Sequence, residues 1–303
     1  MNTWVKAAGA VASVGAGVLA WSLVEARSYV VRQVAAPVLE PGARPLRILH
    51  LSDLHLTPDN AHRAAWVRSL ARFRPDLVVD TGDNLAHEDA VPVALHALEP
   101  LLKFPGVFVH GSNDYFAPRP KNPLNYLRRP TTVQDGTSAL DTAALTAGLT
   151  GAGWLDLNNA RGELEIGGQR VTFVGMDDAH LRRDSLPATA EDTGDLRIGV
   201  THAPYVRALD ALRGDGAAVI LAGHTHGGQV TVPGYGALVT NCDLDTSRAS
   251  GLHGWPGPRP DAPGGSDSTW LHVSAGVGTS PYTPVRLACR PEVTLLTLMP
   301  RGR

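Results

Sequence analysis

Cysteine, aromatic residues and an excess of one charge are all scarce in this chain of 303 residues. The two cysteines, Cys242 and Cys289, exclude a disulfide framework, and they lack the spacing of a zinc site. They can form a single bridge, but a pair of buried thiols is the preferred interpretation. The formal net charge is −2 and charged residues make up only 18% of the chain, so no overall field favours nucleic acid. We therefore expect no nucleic-acid partner.

The N-terminus contains an uncharged apolar segment, residues 7–24. As a helix this segment would span about 27 Å, close to the hydrocarbon core of about 30 Å. Trp4 and Trp21 stand near its two ends, where interfacial aromatic residues are found. We therefore predict a single-pass membrane anchor over residues 1–28, with the side of the membrane left open. The alternative is a signal peptide cleaved after the small residues near position 20, which would release a secreted protein.

Several short apolar runs are typical of buried strands, and each ends in a polar motif. In order, the motifs are Asp53-x-His55, Gly82-Asp83-Asn84, Ser112-Asn113-Asp114, Thr201-His202 and Gly223-His224-Thr225-His226. Helical patterns separate several of these strands. This alternation predicts an α/β sheet with many parallel neighbours, whose ligand sites lie at the carboxyl ends of the strands. We expect residues 29–44 to form a linker or strand and residues 45–303 to form one catalytic domain.

The side chains at these strand ends form a mixed set of carboxylates, imidazoles and one amide. They are Asp53, His55, Asp83, Asn113, His202, His224 and His226. Such a set suits divalent ions of borderline or hard character, such as Mn, Fe or Zn. It is too large for one tetrahedral ion and about right for two, which need an anion between them. Asp83, in the middle of the set, is the candidate for the bridging carboxylate.

The order of these motifs resembles the calcineurin-like metallophosphoesterase superfamily, and within it the YkuE/YaeI-like membrane-anchored bacterial phosphodiesterases. The resemblance spans residues 45–298, and the run from Gly223 to Gln229 is its most specific part. It implies a four-layer α/β/β/α sandwich built on two mixed sheets. It also implies how the ligands are shared between the ions: Asp53, His55 and His226 on one, His202 and His224 on the other, and Asp83 bridging both.

One motif departs from the family, which usually reads Gly-Asn-His-Asp with the asparagine as a metal ligand. Here Ser112 stands at the ligand position and Asn113 stands where the histidine is expected. A neutral hydroxyl is a poor ligand, so we expect the loop to shift and Asn113 to supply its carbonyl oxygen. Asn113 cannot donate a proton as an acid, although it can hydrogen-bond a phosphoryl oxygen. Asp114 is expected to orient Asn113 or a nearby ligand.

Other proton donors are available, but each has a more ordinary interpretation. His87, His110 and His180 are candidates, and for each a structural role is preferred. The basic residues Arg119, Lys121, Arg128 and Arg129 can contact an anionic headgroup, or can equally form a solvated loop surface.

The function predicted from these residues is hydrolysis of a phosphate ester by a metal-activated water, with two divalent ions as cofactors. The substrate is expected to be a phosphodiester, with a phospholipid or other lipid-linked phosphoester as one candidate. Two alternatives remain open at this point. One is a nucleotide or nucleic-acid phosphodiesterase, and the other is a membrane-anchored binding module without catalytic activity.

Overall fold

The computed structural model of the chain describes residues 3–120, 138–189 and 194–302. Its helices are α1 (Thr3–Glu25), α2 (Ala61–Ser69), α3 (Val91–Leu98), α4 (Ser112–Tyr115), α5 (Thr142–Gly151) and α6 (Val206–Gly214). Its strands are β1 (Val30–Leu39), β2 (Leu46–Leu51), β3 (Leu77–Asp80), β4 (Gly106–Phe108), β5 (Leu155–Asp156), β6 (Arg161–Ile166), β7 (Gln169–Met176), β8 (Leu196–Thr201), β9 (Val219–Ala222), β10 (Thr231–Val232), β11 (Gly236–Ala237), β12 (Gly251–Trp255), β13 (Thr269–Val273) and β14 (Glu292–Pro300). Lys121, Arg128 and Arg129 of the predicted basic loop lie outside the described residues.

Two six-stranded mixed sheets dominate the described residues. The first has the order β1-β14-β2-β3-β4-β5, in which β2 to β5 are parallel and β14 is antiparallel to β2. The second has the order β12-β13-β9-β8-β7-β6, with four parallel strands at its centre and an antiparallel strand at each edge. The prediction of an α/β fold with two mixed sheets is confirmed.

Three apolar clusters hold the two sheets and the helices on their outer faces together. The middle cluster lies between the two sheets and includes Ile48 of β2 and Ile198 of β8. A second cluster packs α2, α3 and α5 on the outer face of the first sheet, and a third packs α6 on the outer face of the second. Because apolar side chains line both faces of each sheet, its central strands are buried along their whole length. The carboxyl ends of the parallel strands are consequently fixed at one edge of the molecule.

The N-terminal helix forms where it is predicted, but its predicted role as a membrane anchor is not supported. Among the described residues, no helix combines the length and the apolar character needed to cross a bilayer. Alanine and glycine fill much of α1, which keeps its hydrophobicity moderate. Its last turn is docked on the domain, where Ser22 and Glu25 are buried. The boundary at residue 28 and the localisation stay predictions.

The two cysteines form no bridge with each other. Cys242 and Cys289 are free thiols, and each is partly exposed rather than fully buried. The preference for two thiols over a disulfide is therefore confirmed, while the expectation of full burial is wrong.

A buried histidine pair joins the two sheets behind the strand ends. The Nδ1 atoms of His50 in β2 and His272 in β13 lie 2.8 Å apart, and His50 Nε2 lies 3.0 Å from Thr81 Oγ1. Burial lowers the pKa of His272 to about 3 and places the pKa of His50 well below its usual value. Both rings are therefore neutral in the folded chain at neutral pH.

Because both histidines of this pair are buried and neutral, we expect the folded protein to lose stability in acid, and we expect substitution of one of the two to reduce that loss. The pKa of each histidine in the folded protein lies below its value of about 6.5 in the unfolded chain. The contribution of the neutral pair to stability is therefore complete above about pH 6.5 and is lost as the pH falls below it. We expect His272→Asn to make the free energy of unfolding less dependent on pH between about 6.5 and 4, by about 1.4 kcal/mol per pH unit. Urea unfolding across this range measures the slope. The exposed His96→Asn serves as the control, and equal slopes for His272→Asn and the unchanged chain would refute the prediction.

Candidate metal centre

The predicted site residues follow the carboxyl ends of five parallel strands. Asp53 and His55 follow β2, Asp83 follows β3, and the short helix α4 follows β4 in the first sheet. In the second sheet His202 follows β8, and the two remaining histidines follow β9. Because the two sheets pack face to face, these ends meet at one edge. The convergence expected from the strand pattern is present in the structure.

One tight group of ligand atoms consists of Asp53, His55 and His226. The Nε2 atoms of His55 and His226 lie 3.2 Å apart. Asp53 Oδ1 lies 3.5 Å from Nε2 of His226 and 4.0 Å from Nε2 of His55. Three ligand atoms within this range of one another can approach a single cation together.

A second tight group consists of Asp53, Asp83 and His202. His202 Nε2 lies 3.5 Å from Asp83 Oδ2, and His55 Nε2 lies 3.6 Å from the same oxygen. Asp83 Oδ2 is therefore adjacent to a histidine of each group. Asp83 therefore lies between the two groups, and its role as a bridging ligand stays a prediction.

The bonding needs of these groups fit a divalent cation. Asp53 Oδ1 and His202 Nε2 are buried, and neither has a hydrogen-bond partner among the described residues. Buried polar atoms are normally satisfied, so two unpartnered atoms beside further ligand atoms indicate a place where a cation can bind. Carboxylate oxygen and imidazole nitrogen are the donors that Mn, Fe and Zn accept. The residues present therefore fit a divalent metal.

The surrounding backbone fixes the ring nitrogens that are available. His202 Nδ1 lies 2.6 Å from the Thr81 carbonyl oxygen, which requires a proton on Nδ1 and leaves Nε2, on the side of Asp83, as the ring atom for a ligand. His224 has the opposite arrangement, since its Nε2 lies 3.2 Å from the Asn241 carbonyl oxygen and Nδ1 remains for a ligand. Metal-binding histidines commonly donate their second N–H in this way. His224 lies beside His202, with ring centroids 5.3 Å apart, but it is not a member of either tight group.

The electrostatics of the metal-free site keep most imidazoles neutral. Burial lowers the pKa of His55 to about 4 and the pKa values of His224 and His226 well below their usual range. Burial also raises the pKa of Asp53 to about 6. Burial acts against the charges of His202 and Asp83, but their mutual attraction outweighs it. The pKa of His202 is therefore raised and that of Asp83 lowered. Neutral imidazole and ionised carboxylate are the forms that bind a cation.

In the motif that differs from the family pattern, Asn113 and not Ser112 lies against the cluster of ligand atoms. Asn113 donates its backbone N–H to Asp83 Oδ1 at 2.7 Å and its side-chain amide to Asp83 Oδ2 at 2.8 Å. Asn113 therefore lies beside Asp83, and it presents its amide nitrogen to that carboxylate. Its role as a carbonyl ligand stays a prediction.

Asp114 supports the turn that carries Asp83. Its carboxylate accepts hydrogen bonds from the backbone N–H groups of Asp83 and Asn84 at 2.8 Å each and of Gly111 at 3.0 Å. A longer bond of 3.3 Å comes from the N–H of Leu85. Of the two roles expected for Asp114, this arrangement favours orientation of a nearby ligand.

The other candidate proton donors occupy different surroundings. His87 is exposed beside Asp89, and His110 is buried with its Nε2 2.8 Å from Thr146 Oγ1. His180 packs against His224, with ring centroids 4.7 Å apart. His180 is therefore the one of the three that contacts a predicted ligand.

Several predicted ligands have a backbone conformation that most residues avoid. Positive φ angles occur at Asp53 (53°), His55 (42°), Asp83 (57°), His224 (68°) and His226 (50°). Asp, Asn and His tolerate this region better than branched residues, and such outliers cluster at functional sites. The neighbouring glycines are equally constrained, because a Cβ on Gly223 would overlap the Ser52 hydroxyl. The turns that follow the strands thus depend on particular residue types.

Three polar residues near the site were not singled out from the sequence. Arg286 contacts His226, Asn241 contacts His224, and burial raises the pKa of Asp178, near His202, to about 7. Each is distant in the chain from the residue it serves, and none lies in a motif. Asp178 alone had a local signal, because it follows β7 as the other acids follow their strands.

Comparison with known proteins agrees with this geometry. Residues 46–228 match the family model of the calcineurin-like phosphoesterases. Among curated relatives, the uncharacterized protein YpbG of Bacillus subtilis (strain 168) is 27% identical over 98% of each chain. The uncharacterized metallophosphoesterase YkuE of the same organism is 24% identical, over 88% of this chain and 83% of YkuE. The phosphodiesterase YaeI of Escherichia coli (strain K12) is 25% identical, over 85% and 84%. The chain therefore belongs to the calcineurin-like phosphoesterase family and is a metal-dependent hydrolase of phosphoric esters.

Proposed function

We propose that this enzyme hydrolyses phosphodiesters with two divalent ions, drawn from Mn, Fe and Zn. In this assignment Asp53, His55 and His226 would hold ion A. His202, His224 and the side chain of Asn113 would hold ion B, and Asp83 would serve both. The observation that carries the proposal is the position of Asp83 Oδ2, which lies within 3.6 Å of a histidine nitrogen on either side.

The residues around the Asp83 carboxylate have different roles in this proposal. When bound, the two cations supply Lewis acidity and make water a usable nucleophile at neutral pH. Asp83 would offset the repulsion between them, and the rings of His202 and His224 are oriented by backbone carbonyls. Asn113, beside Asp83, can donate its amide N–H to a phosphoryl oxygen, because an amide offers two donors.

The missing acid bears on the leaving group of the substrate. Asn113 occupies the place of a histidine and cannot protonate a departing alkoxide. Substrates whose leaving group departs without a proton are therefore favoured. The preference for diesters rests on the relative that is named as a phosphodiesterase. A lipid-linked diester is the variant of this proposal that the predicted basic loop would serve.

The test pairs metal analysis with turnover. We expect purified protein to contain about two divalent ions per chain and to hydrolyse bis-(p-nitrophenyl) phosphate faster than p-nitrophenyl phosphate. Removal of the ions by a chelator should abolish turnover, and Mn²⁺ should restore it. Bound metal with no turnover would instead identify a binding module without catalytic activity. A phospholipid substrate in detergent forms a second arm, and cleavage of soluble diesters alone would remove the lipid-linked variant.

A further inference from the structure

An arginine with no exposed surface lies directly behind the proposed ion A. Arg286 is fully buried, and the hydrogen bonds of its two Nη atoms go mainly to backbone carbonyl oxygens, whereas its Nε has no partner among the described residues. Nη2 donates to the carbonyls of Ala275 and Gly278 at 2.7 Å each and of Gly276 at 3.2 Å. Nη1 donates to the carbonyl of His226 at 3.3 Å. Burial of a cation is costly, so four carbonyl partners on two segments indicate a specific structural demand at this point.

The first segment held by Arg286 carries a ligand. His226 begins the short 3-10 turn that ends at Gly228, and its ring Nδ1 lies 3.2 Å from Arg286 Nη2. The same carbonyl of His226 accepts a second contact, from Cys289 Sγ at 3.3 Å. The main chain at His226 is therefore fixed from behind, on the side away from the ligand nitrogen.

The second segment presses on the other two ligands of ion A. Residues 275–278 lie against the turn after β2, with Gly278 N–H donating to the Asp53 carbonyl at 2.6 Å. The approach is close enough that a Cβ on Gly276 would lie 2.6 Å from Asp53 Cβ. A Cβ on Gly278 would lie 2.8 Å from His55 Cβ. All three ligands of ion A thus rest on segments that Arg286 joins.

Arg286 is in turn held by the last turn of the N-terminal helix. Its backbone N–H donates to the Ser22 carbonyl at 3.0 Å. The buried carboxylate of Glu25 accepts from the N–H groups of Ala288 at 3.1 Å and Cys289 at 2.8 Å. These bonds fix the segment 286–289 against α1.

From these contacts we infer that Arg286 is a positioning residue for ion A, and that Glu25 anchors it through the end of α1. The inference rests on the proposed two-ion site. Arg286 supports the ligands of one ion only, because its hydrogen bonds go to none of the ligands assigned to ion B. Substitution of Arg286 should therefore weaken the binding of ion A and leave the binding of ion B unchanged. General destabilisation would weaken both sites together.

The experiment titrates metal-free, full-length protein with Mn²⁺ and follows binding by calorimetry and electron paramagnetic resonance. The unchanged protein should bind two ions and show the signal of a coupled pair. Arg286→Lys keeps the positive charge but cannot reach four carbonyls on two segments. We expect it to weaken one of the two affinities about 10- to 100-fold, leave the other unchanged, and show the uncoupled signal of a single ion at intermediate Mn²⁺. The exposed Arg290→Lys is the matched control and should behave as the unchanged protein.

A second variant keeps the test decisive if Arg286→Lys fails to fold. Glu25→Gln turns an amide NH₂ towards one of the two backbone N–H groups, which should weaken the same affinity in the same direction by a smaller factor. Unchanged affinities in the folded variants, or equal weakening of both affinities, would overturn the inference. An unchanged protein that binds fewer than two ions would instead overturn the proposed function, on which the inference rests.

Discussion

Asp83→Asn is expected to reduce kcat for bis-(p-nitrophenyl) phosphate by about 1,000-fold or more, equivalent to about 4 kcal/mol of the activation barrier. The substitution keeps the shape of the side chain and removes the negative charge that would separate two cations. It also places an amide where Oδ2 now lies 3.5 Å from His202 Nε2 and 3.6 Å from His55 Nε2. A neutral amide oxygen can serve one cation weakly, so metal content should fall below two ions per chain. Turnover at saturating Mn²⁺, measured beside elemental analysis, checks both effects.

Asp141→Asn provides the control for this substitution. Asp141 is exposed, and its Oδ1 caps the N-terminus of α5 by accepting from the Ala144 N–H. Asparagine caps helices about as well as aspartate, so this variant should keep full activity and metal content. Unchanged turnover in Asp83→Asn would contradict the assignment of Asp83 as the bridge.

The strand ends could be predicted because the signals that define them are local. The run 217–222, for example, is uniformly apolar, and Gly223 comes directly after it, at the start of the turn. A strand that is apolar on both faces is typical of a buried parallel sheet. The carboxyl ends of parallel strands meet at one edge of the sheet, so the acids and histidines that follow them could be predicted to lie together without knowledge of the strand register.

Long-range partners could not be predicted in the same way. Arg286 lies 60 residues beyond His226 in the chain, and nothing in its immediate sequence distinguishes it from a surface arginine. Strand β12, which forms an edge of the second sheet, was missed because glycine and histidine interrupt its apolar pattern. Its pairing with β13 depends on tertiary packing, which overrides weak local preference.

The N-terminal helix shows the limit of composition as a guide. An uncharged segment of suitable length was sufficient to predict a membrane anchor, yet alanine and glycine leave the helix less apolar than a span requires. What composition could not reveal is that the last turn is part of the domain. Glu25 follows the uncharged segment directly, and in the structure it is buried and accepts two backbone hydrogen bonds.

Asp114→Ala is expected to reduce the free energy of unfolding by about 3–5 kcal/mol, the largest stability effect predicted for this site. The carboxylate of Asp114 is fully buried and accepts hydrogen bonds from the N–H groups of Asp83, Asn84, Leu85 and Gly111. Truncation to alanine removes every one of these acceptors at once. Each charge-assisted bond contributes about 1.5–3 kcal/mol, and partial relaxation and entry of water should keep the total below their sum.

The consequence for the site follows from the strained turn that these bonds hold. Asp83 has a φ of 57°, a conformation that persists only where surrounding contacts enforce it. We therefore expect Asp114→Ala to lower metal content as well as stability, whereas Asp114→Asn, which keeps one acceptor oxygen, should fall between the alanine variant and the unchanged protein. Urea unfolding and metal analysis measure the two effects. If the alanine variant stayed within about 1 kcal/mol of the unchanged protein, the turn would hold its shape without Asp114, and the bridging position of Asp83 would need another support.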